Sequence, residues 1–194
     1  MDMPKTLRLF ISLNIQEKIR NALTDSISNI QKKGFDEIKW VGTQKIHLTL
    51  NFLGNVHESL VSGINNQLNE IAQCTQPFIV KLSDIGVFPH IKKSRIIWIG
   101  IKGNYKTLNR LRILTGTKLS TLGIVTASSP YKPHITLGRV KKNCQISTKR
   151  SKELMQQLTC GNLRLEWKIQ ELHLIHSRPT SEGFAYQNIG VFKL

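Results

Sequence analysis

Four residues, His47-Leu48-Thr49-Leu50, return 87 positions later as His134-Ile135-Thr136-Leu137. Each copy alternates polar and apolar residues, the period of a half-buried β-strand, so His and Thr share one face and the aliphatics the other. The strand ahead of each copy keeps the same spacing: Arg8 stands 39 residues before His47, and Arg95 stands 39 before His134. Two coincident offsets point to a duplicated unit rather than a chance tetrapeptide. A pseudo-twofold relation between duplicated units can set equivalent strands on opposite sides of one groove. Two motifs remote in sequence then become halves of one site.

The order of elements supports the repeat. Leu7 to Asn14 reads as a strand, and Ile15 to about Lys33 as a helix with Ile15, Ile19, Ala22, Leu23, Ile27 and Ile30 on one stripe. The first motif strand, Ile46 to Phe52, is followed by a helix from about His57 to Gln73 and an extended stretch, Phe78 to Val87. The series then restarts: a strand from Arg95 to Ile101, a helix from about Asn104 to Leu122, the second motif strand from His134 to Arg139, and a helix from Ser147 to Leu158. Ser147 suits an N-cap. Leu163 to His176 and Phe184 to Lys193 are expected as closing strands, joined by a turn through Pro179, Ser181 and Gly183. This predicts an α+β fold in a single domain, with repeat halves near 7–88 and 94–176 and a closing hairpin at 163–194.

With 194 residues and 40% hydrophobic content, the chain can bury a full core. Its longest apolar runs fall far short of a membrane span, and its N-terminal stretch lacks the pattern of a secretory signal. Cys74, Cys144 and Cys160 are too far apart for a zinc knuckle and too few for a disulfide framework, so reduced thiols and a cytoplasmic setting are expected. Twenty-eight Lys and Arg against twelve Asp and Glu give a net charge of +16. Such a field draws polyanions. Pairs such as Lys32-Lys33, Lys92-Lys93 and Lys141-Lys142 also fit ordinary solvated loops.

The motif residues suit phosphoryl chemistry. Histidine, with an unperturbed pKa of about 6.5, serves as acid or base near neutrality. Threonine beside it offers a hydroxyl donor to a non-bridging oxygen. His57, His90, His173 and His176 read as structural or exposed. No His-x-x-x-His pair, carboxylate cluster or cysteine pair suggests a transition-metal site, and no Walker loop, dinucleotide glycine fingerprint or nucleophile elbow is present. Phe10 shares a strand face with Arg8 and Ser12, where an aromatic ring can stack on a base. Tyr131, just ahead of the second motif, is a second candidate for substrate contact.

These residues resemble the 2H phosphoesterase superfamily, marked by two His-x-Thr/Ser-x motifs on a duplicated scaffold. More narrowly, the chain is similar to the bacterial RNA 2′,3′-cyclic phosphodiesterases, historically called 2′-5′ RNA ligases, of the LigT/ThpR type. The likeness runs over nearly the whole chain: Arg8-Leu9-Phe10, Trp40-Val41, His47 through Gly54, Gly86-Val87-Phe88-Pro89, Arg95, Trp98-Ile99-Gly100, Pro130 through Arg139, and Ser177 to Tyr186. Tyr131 stands where relatives often carry Phe. The resemblance implies two interleaved, pseudo-twofold-related lobes, each a mainly antiparallel sheet flanked by helices, with the active site in the groove between them. It implies hydrolysis of a 2′,3′-cyclic phosphate RNA end to a 2′-phosphomonoester by a monomer needing no metal, cofactor or membrane. His47 would be the proton donor to the departing 3′-oxygen and His134 the proton acceptor from water. Thr49 and Thr136 would hold the non-bridging oxygens. Arg139 matches a family arginine near the phosphate. Five residues after His134, however, strict alternation turns it to the opposite face unless Gly138 permits a bulge.

Two other readings use the same residues. One is an enzyme acting on small cyclic phosphates or 2′-5′ oligonucleotides, or running in reverse as a 2′-5′ RNA ligase. The other is an RNA-binding module without catalysis, against which the retention of both histidines and both threonines counts.

Overall fold

The computed structural model describes residues 5–127, 130–159, 165–181 and 183–194. Its strands are β1 (Thr6–Leu13), β2 (Ile38–Trp40), β3 (Leu48–His57), β4 (Phe78–Phe88), β5 (Ile96–Gly103), β6 (His134–Val140), β7 (Glu166–Ile169), β8 (Glu171–Thr180) and β9 (Gly183–Lys193). Its helices are α1 (Glu17–Gln31), α2 (Val61–Gln73), α3 (Tyr105–Ser120) and α4 (Thr148–Thr159). The apolar stripe expected on α1 is its buried face, through Ile19, Leu23, Ile27 and Ile30. Each such side chain contributes about 1.5–3 kcal/mol by leaving water. Ser147 caps α4, its Oγ accepting from the backbone N–H of Arg150 at 3.2 Å. His57 belongs to the end of β3 rather than to a helix, and a short 3₁₀ turn, Glu58–Leu60, leads into α2.

The strands form one curled antiparallel sheet in the order β7-β4-β5-β6-β3-β1-β8-β9, with β2 paired to β6. The element order recurs at the expected distance. Moving α2 on by 87 residues gives positions 148–160, where α4 spans Thr148–Thr159. The same shift carries α1 onto 104–118, where α3 spans Tyr105–Ser120. The strands of the two repeats are exchanged. β4 follows the first repeat but pairs with β5 of the second, and β8 follows the second but pairs with β1 of the first. The helices cross likewise, α2 packing on β8 and β9 and α4 on β4.

The closing strand expected from Leu163 to His176 is two strands. Leu163 and Arg164 lie outside the described residues, as does Cys160. β7 pairs with β4 at one end of the sheet path, while β8 pairs with β1 near the other, and only Gln170 separates them. The sheet must therefore curl until its two ends nearly meet. Asn14 fixes that corner: its Oδ1 accepts the backbone N–H groups of Gln170 at 2.8 Å and Glu171 at 3.1 Å. Its backbone carbonyl accepts from the buried Trp167 Nε1–H at 3.0 Å. The final turn is also tighter than expected, since β8 runs through Pro179 to Thr180, which pairs with Gly183.

Replacing Asn14 with Ala strips two backbone donors of their partner and should lower stability by about 1–2 kcal/mol. Asn14→Asp, which keeps the acceptor oxygen, should lose less. Urea denaturation with both variants measures the difference, and an unchanged Asn14→Ala midpoint would place the hold on this corner elsewhere.

Candidate active site

Strands β3 and β6 pair through a single residue couple, Leu48 opposite Ile135. Both side chains are fully buried, with Leu50 and Leu137 close behind at 2% and 1% exposure. Because the strands run antiparallel, the residue before Leu48 lies beside the residue after Ile135. Each motif's histidine is thereby set beside the other motif's threonine. Two grooves reflect this crossing. One, of about 560 Å³, is lined by Thr49 and His134, and the other, of about 290 Å³, by His47 and Thr136.

The two imidazoles are held alike. His47 Nδ1 lies 2.7 Å from the carbonyl of Lys45, and His134 Nδ1 lies 2.7 Å from that of Lys132. A carbonyl only accepts, so each Nδ1 carries the proton and donates it. The nitrogen left for chemistry is Nε2 in both rings. Arg20 anchors the turn bearing His47, its guanidinium donating to the carbonyls of Thr43 at 2.9 Å and Ile46 at 2.8 Å. Aromatic rings enclose both histidines: Phe10 and Tyr186 at 5.0 and 5.1 Å from His47, Phe88 and Trp98 at 5.1 and 6.1 Å from His134.

This burial is the main reason both histidines titrate below the ordinary value, since a charged imidazolium loses its hydration there. The carbonyl bonds from Lys45 and Lys132 act against that shift. Positive neighbours reinforce it: His134, Arg139 and Arg20 for His47, and Arg139 and Lys132 for His134. Arg139 thus acts electrostatically on both rings and lines the groove of His47.

A β-bulge explains how Arg139 reaches them. Along β6, Gly138 pairs with Ile97 and Thr136 with Trp98, leaving Leu137 as an extra residue. Alternation resets there, so Leu137 and Gly138 are both buried and Arg139 emerges on the face of His134 and Thr136. β3 has the same irregularity 87 residues earlier. Asn51 pairs with Ile11 and Thr49 with Ser12, which leaves Leu50 extra and turns Phe52 outward. Phe52 thus occupies the position in the first repeat that Arg139 holds in the second.

Other expected contacts differ. Phe10 is only 3% exposed, wedged among His47, Phe52 and Tyr186, so no face of its ring is left for a base. It backs the imidazole instead, and the exposed ring beside it is Phe52, at 60%. Tyr131 walls the larger groove and ties the lobes together, its hydroxyl donating to the Thr49 carbonyl at 2.9 Å. Burial pushes its phenol far above the usual range, so it stays neutral. Sequence reasoning missed Arg20, Phe52 and the enclosing role of Tyr186. For Phe52 a signal existed, because it follows His47 by the five residues that separate Arg139 from His134. Among the described residues, no group of three or more His, Cys, Asp or Glu side chains is placed to hold a metal ion. No described helix is long and apolar enough to cross a membrane.

The sequence profile of the 2′-5′ RNA ligase superfamily matches residues 17–180. The chain belongs to that superfamily. Among its relatives, the RNA 2′,3′-cyclic phosphodiesterase of Aquifex aeolicus is 31% identical over 80% of this chain and 81% of its own length. The protein of the same name from Methanocaldococcus jannaschii is 36% identical over 70% and 72%. That from Archaeoglobus fulgidus is 29% identical over 96% of this chain and all of its own. The superfamily fold is equally clear in solved structures. The Thermus thermophilus protein TT0787 superposes with a TM-score of 0.80 at 24% identity, covering 97% of this chain and 98% of its own. E. coli LigT, crystallised with 3′-AMP, gives 0.72 at 21% identity, covering 98% and 99%.

Gly86 is a steric requirement of this superfamily member's site. A Cβ there would sit 2.1 Å from Cζ2 of Trp98, whose ring is stacked on Phe88 at 4.9 Å and packs against His134. Gly86→Ala should lower stability by about 1–3 kcal/mol through overpacking. It should also reduce turnover by displacing the wall behind His134. Calorimetry alongside an activity assay checks both, and a variant of wild-type stability would show that the Trp98 ring moves freely.

Proposed function

We propose that this chain hydrolyses RNA 2′,3′-cyclic phosphodiester ends to 2′-phosphomonoesters by two-histidine acid–base catalysis. The observation that carries the reading is the pair of Nε2 atoms, each freed by an Nδ1–H bond to a carbonyl, flanking the Leu48–Ile135 couple. In-line displacement at phosphorus needs an acid on one side and a base on the other, and this arrangement supplies one of each. His134 Nε2 takes a proton from water as the new O–P bond forms. The bond from phosphorus to the 3′-oxygen breaks, and protonated His47 delivers its Nε2 proton to that oxygen. Turnover leaves His134 protonated and His47 neutral, and exchange with solvent restores both. Thr49 and Thr136 hydroxyls donate to the non-bridging oxygens, and Arg139 adds charge stabilisation as negative charge builds. Relatives bearing the name RNA 2′,3′-cyclic phosphodiesterase support the substrate class, and the +16 charge suits an RNA chain beyond its end.

The direct test is incubation of an oligonucleotide ending in a 2′,3′-cyclic phosphate with the protein in EDTA. Mass analysis and enzymatic digestion should locate the product phosphate on the 2′-oxygen. Loss of activity in EDTA, or no product from several RNAs, would contradict the reading. His47→Ala and His134→Ala should each lower kcat by about 10²- to 10⁴-fold.

The pH dependence follows from burial. Catalysis needs His134 neutral and His47 protonated, so kcat/KM should be bell-shaped. Both histidines titrate low in the free protein, so both limbs should fall below the ordinary histidine pKa of about 6.5. A bound phosphate anion favours the imidazolium forms, so the limbs of kcat should lie higher than those of kcat/KM. A flat kcat/KM profile, or one peaking well above neutrality, would refute the assignment.

A further inference from the structure

The turn from β4 into β5 borders a pocket of about 360 Å³, whose walls include His90, Lys92, Lys93, Arg95 and Gln145 and no carboxylate. Among the described residues, Lys92, Lys93 and Arg95 have no acidic partner. The turn is nonetheless pinned. The Ser94 hydroxyl donates to the Ile91 carbonyl at 3.2 Å and lies 3.1 Å from the Ser151 hydroxyl of α4, and both serines are buried. Arg95 donates from Nη1 to the Cys144 carbonyl at 3.2 Å. Like charges held together on a fixed turn repel one another, and an anion between them relieves the repulsion. The repeat shows that this is more than a basic drift of the whole chain. Lys92 and Gln145 stand 87 residues after Lys5 and Glu58. In the first repeat, Lys5 Nζ and Glu58 Oε1 form an ion pair at 3.1 Å. In the second, neutral Gln145 takes the place of the acid, and Lys93 stands where the first has Thr6. The same corner thus carries an internal ion pair in one repeat and unbalanced positive charge in the other.

We infer that this pocket holds an internal phosphate of the RNA, a few nucleotides before the cyclic end. The inference rests on the cyclic-phosphodiesterase reading above and adds a contact remote from the reacting phosphorus. The strands connect the two places. Ile96, next to Arg95, pairs with Arg139 on one side and with Phe88 on the other. Phe88 walls the larger groove and sets its ring edge-on to His134 at 5.1 Å, and His90 follows it by two residues. Arg95 and Trp98 are three steps apart along the chain, about 10 Å when extended. An RNA strand leaving the groove past Phe88 therefore crosses the rim between β4 and β5 and meets the pocket. Lysine and arginine only donate hydrogen bonds, and an RNA phosphate, which carries no proton, only accepts them, so the fit is one of charge and of donors alike. Such a contact positions the chain and reads no base. The pocket selects substrates by length rather than by sequence.

The test compares kcat/KM for a dinucleotide and for a longer oligonucleotide that share one 2′,3′-cyclic phosphate end. Wild type should prefer the longer substrate by about 10- to 100-fold, the scale of a charge-assisted contact. Replacing Lys92 and Lys93 together with Ala should erase most of that preference. The same change should flatten the dependence of log kcat/KM on log salt for the longer substrate by about 0.7 for each phosphate released. Gln145→Glu, which gives Lys92 the kind of partner Lys5 has, should also cut the preference several-fold. Lys5→Ala should keep it as in wild type. The subsite is overturned if the preference survives the lysine substitutions or Gln145→Glu, or if Lys5→Ala lowers it equally. Wild type that cleaves both substrates with equal efficiency leaves the hydrolytic function standing and removes only the subsite. Wild type that cleaves neither refutes both.

Discussion

The groove depends on one backbone coupling, the antiparallel contact of Leu48 with Ile135. It joins the two halves of the sheet through two aliphatic side chains driven fully out of water, and hydrophobic burial rather than polar contact holds it. Its direction matters as much as its strength. A parallel meeting of the same strands would set histidine beside histidine and threonine beside threonine. The antiparallel meeting gives each histidine the other copy's hydroxyl, and so sets the two imidazoles on opposite sides of the Leu48–Ile135 couple.

The surroundings tune that arrangement without touching its geometry. A carbonyl behind each imidazole selects the tautomer, and a sleeve of aromatic rings keeps water from the charged form. Arg139 acts on both histidines, with Arg20 adding positive charge near His47 and Lys132 near His134, and their field makes the groove hospitable to an anion. Burial does most to depress the basicity of the histidines, and the same positive charges that would draw an anion reinforce it.

Much of this is legible in the chain. The paired motifs, their separation and the arginines ahead of them reveal the duplication, and alternation correctly sends Leu48, Leu50, Ile135 and Leu137 inward. Alternation gives a side, though, and not a depth. It assigns Phe10 to the right side of β1, yet Phe52 and Tyr186, which cover it, come from strands distant in sequence. Alternation also presumes an unbroken ladder. The extra residues at Leu50 and Leu137 reverse the pattern beyond them; Gly138 gives a hint of the reversal in β6, whereas nothing in Thr-Leu-Asn-Phe announces it in β3. The break at Gln170 is hidden because it is imposed by Asn14, more than 150 residues away.

The exchange of β4 and β8 between the repeats bears on how such a molecule arises and how it must be handled. Neither half owns a complete sheet. A chain severed between Phe88 and Ile96 would leave β1 in one piece and β5 in the other with a bare hydrogen-bonding edge, a surface that invites aggregation. A single ancestral repeat would meet the same problem, and a second copy lending its last strand is the simplest remedy. The internal symmetry then reads as a strand-swapped pair within one chain, whose two grooves differ at matched positions, Trp40 and Arg139 in one and Ala127 and Phe52 in the other.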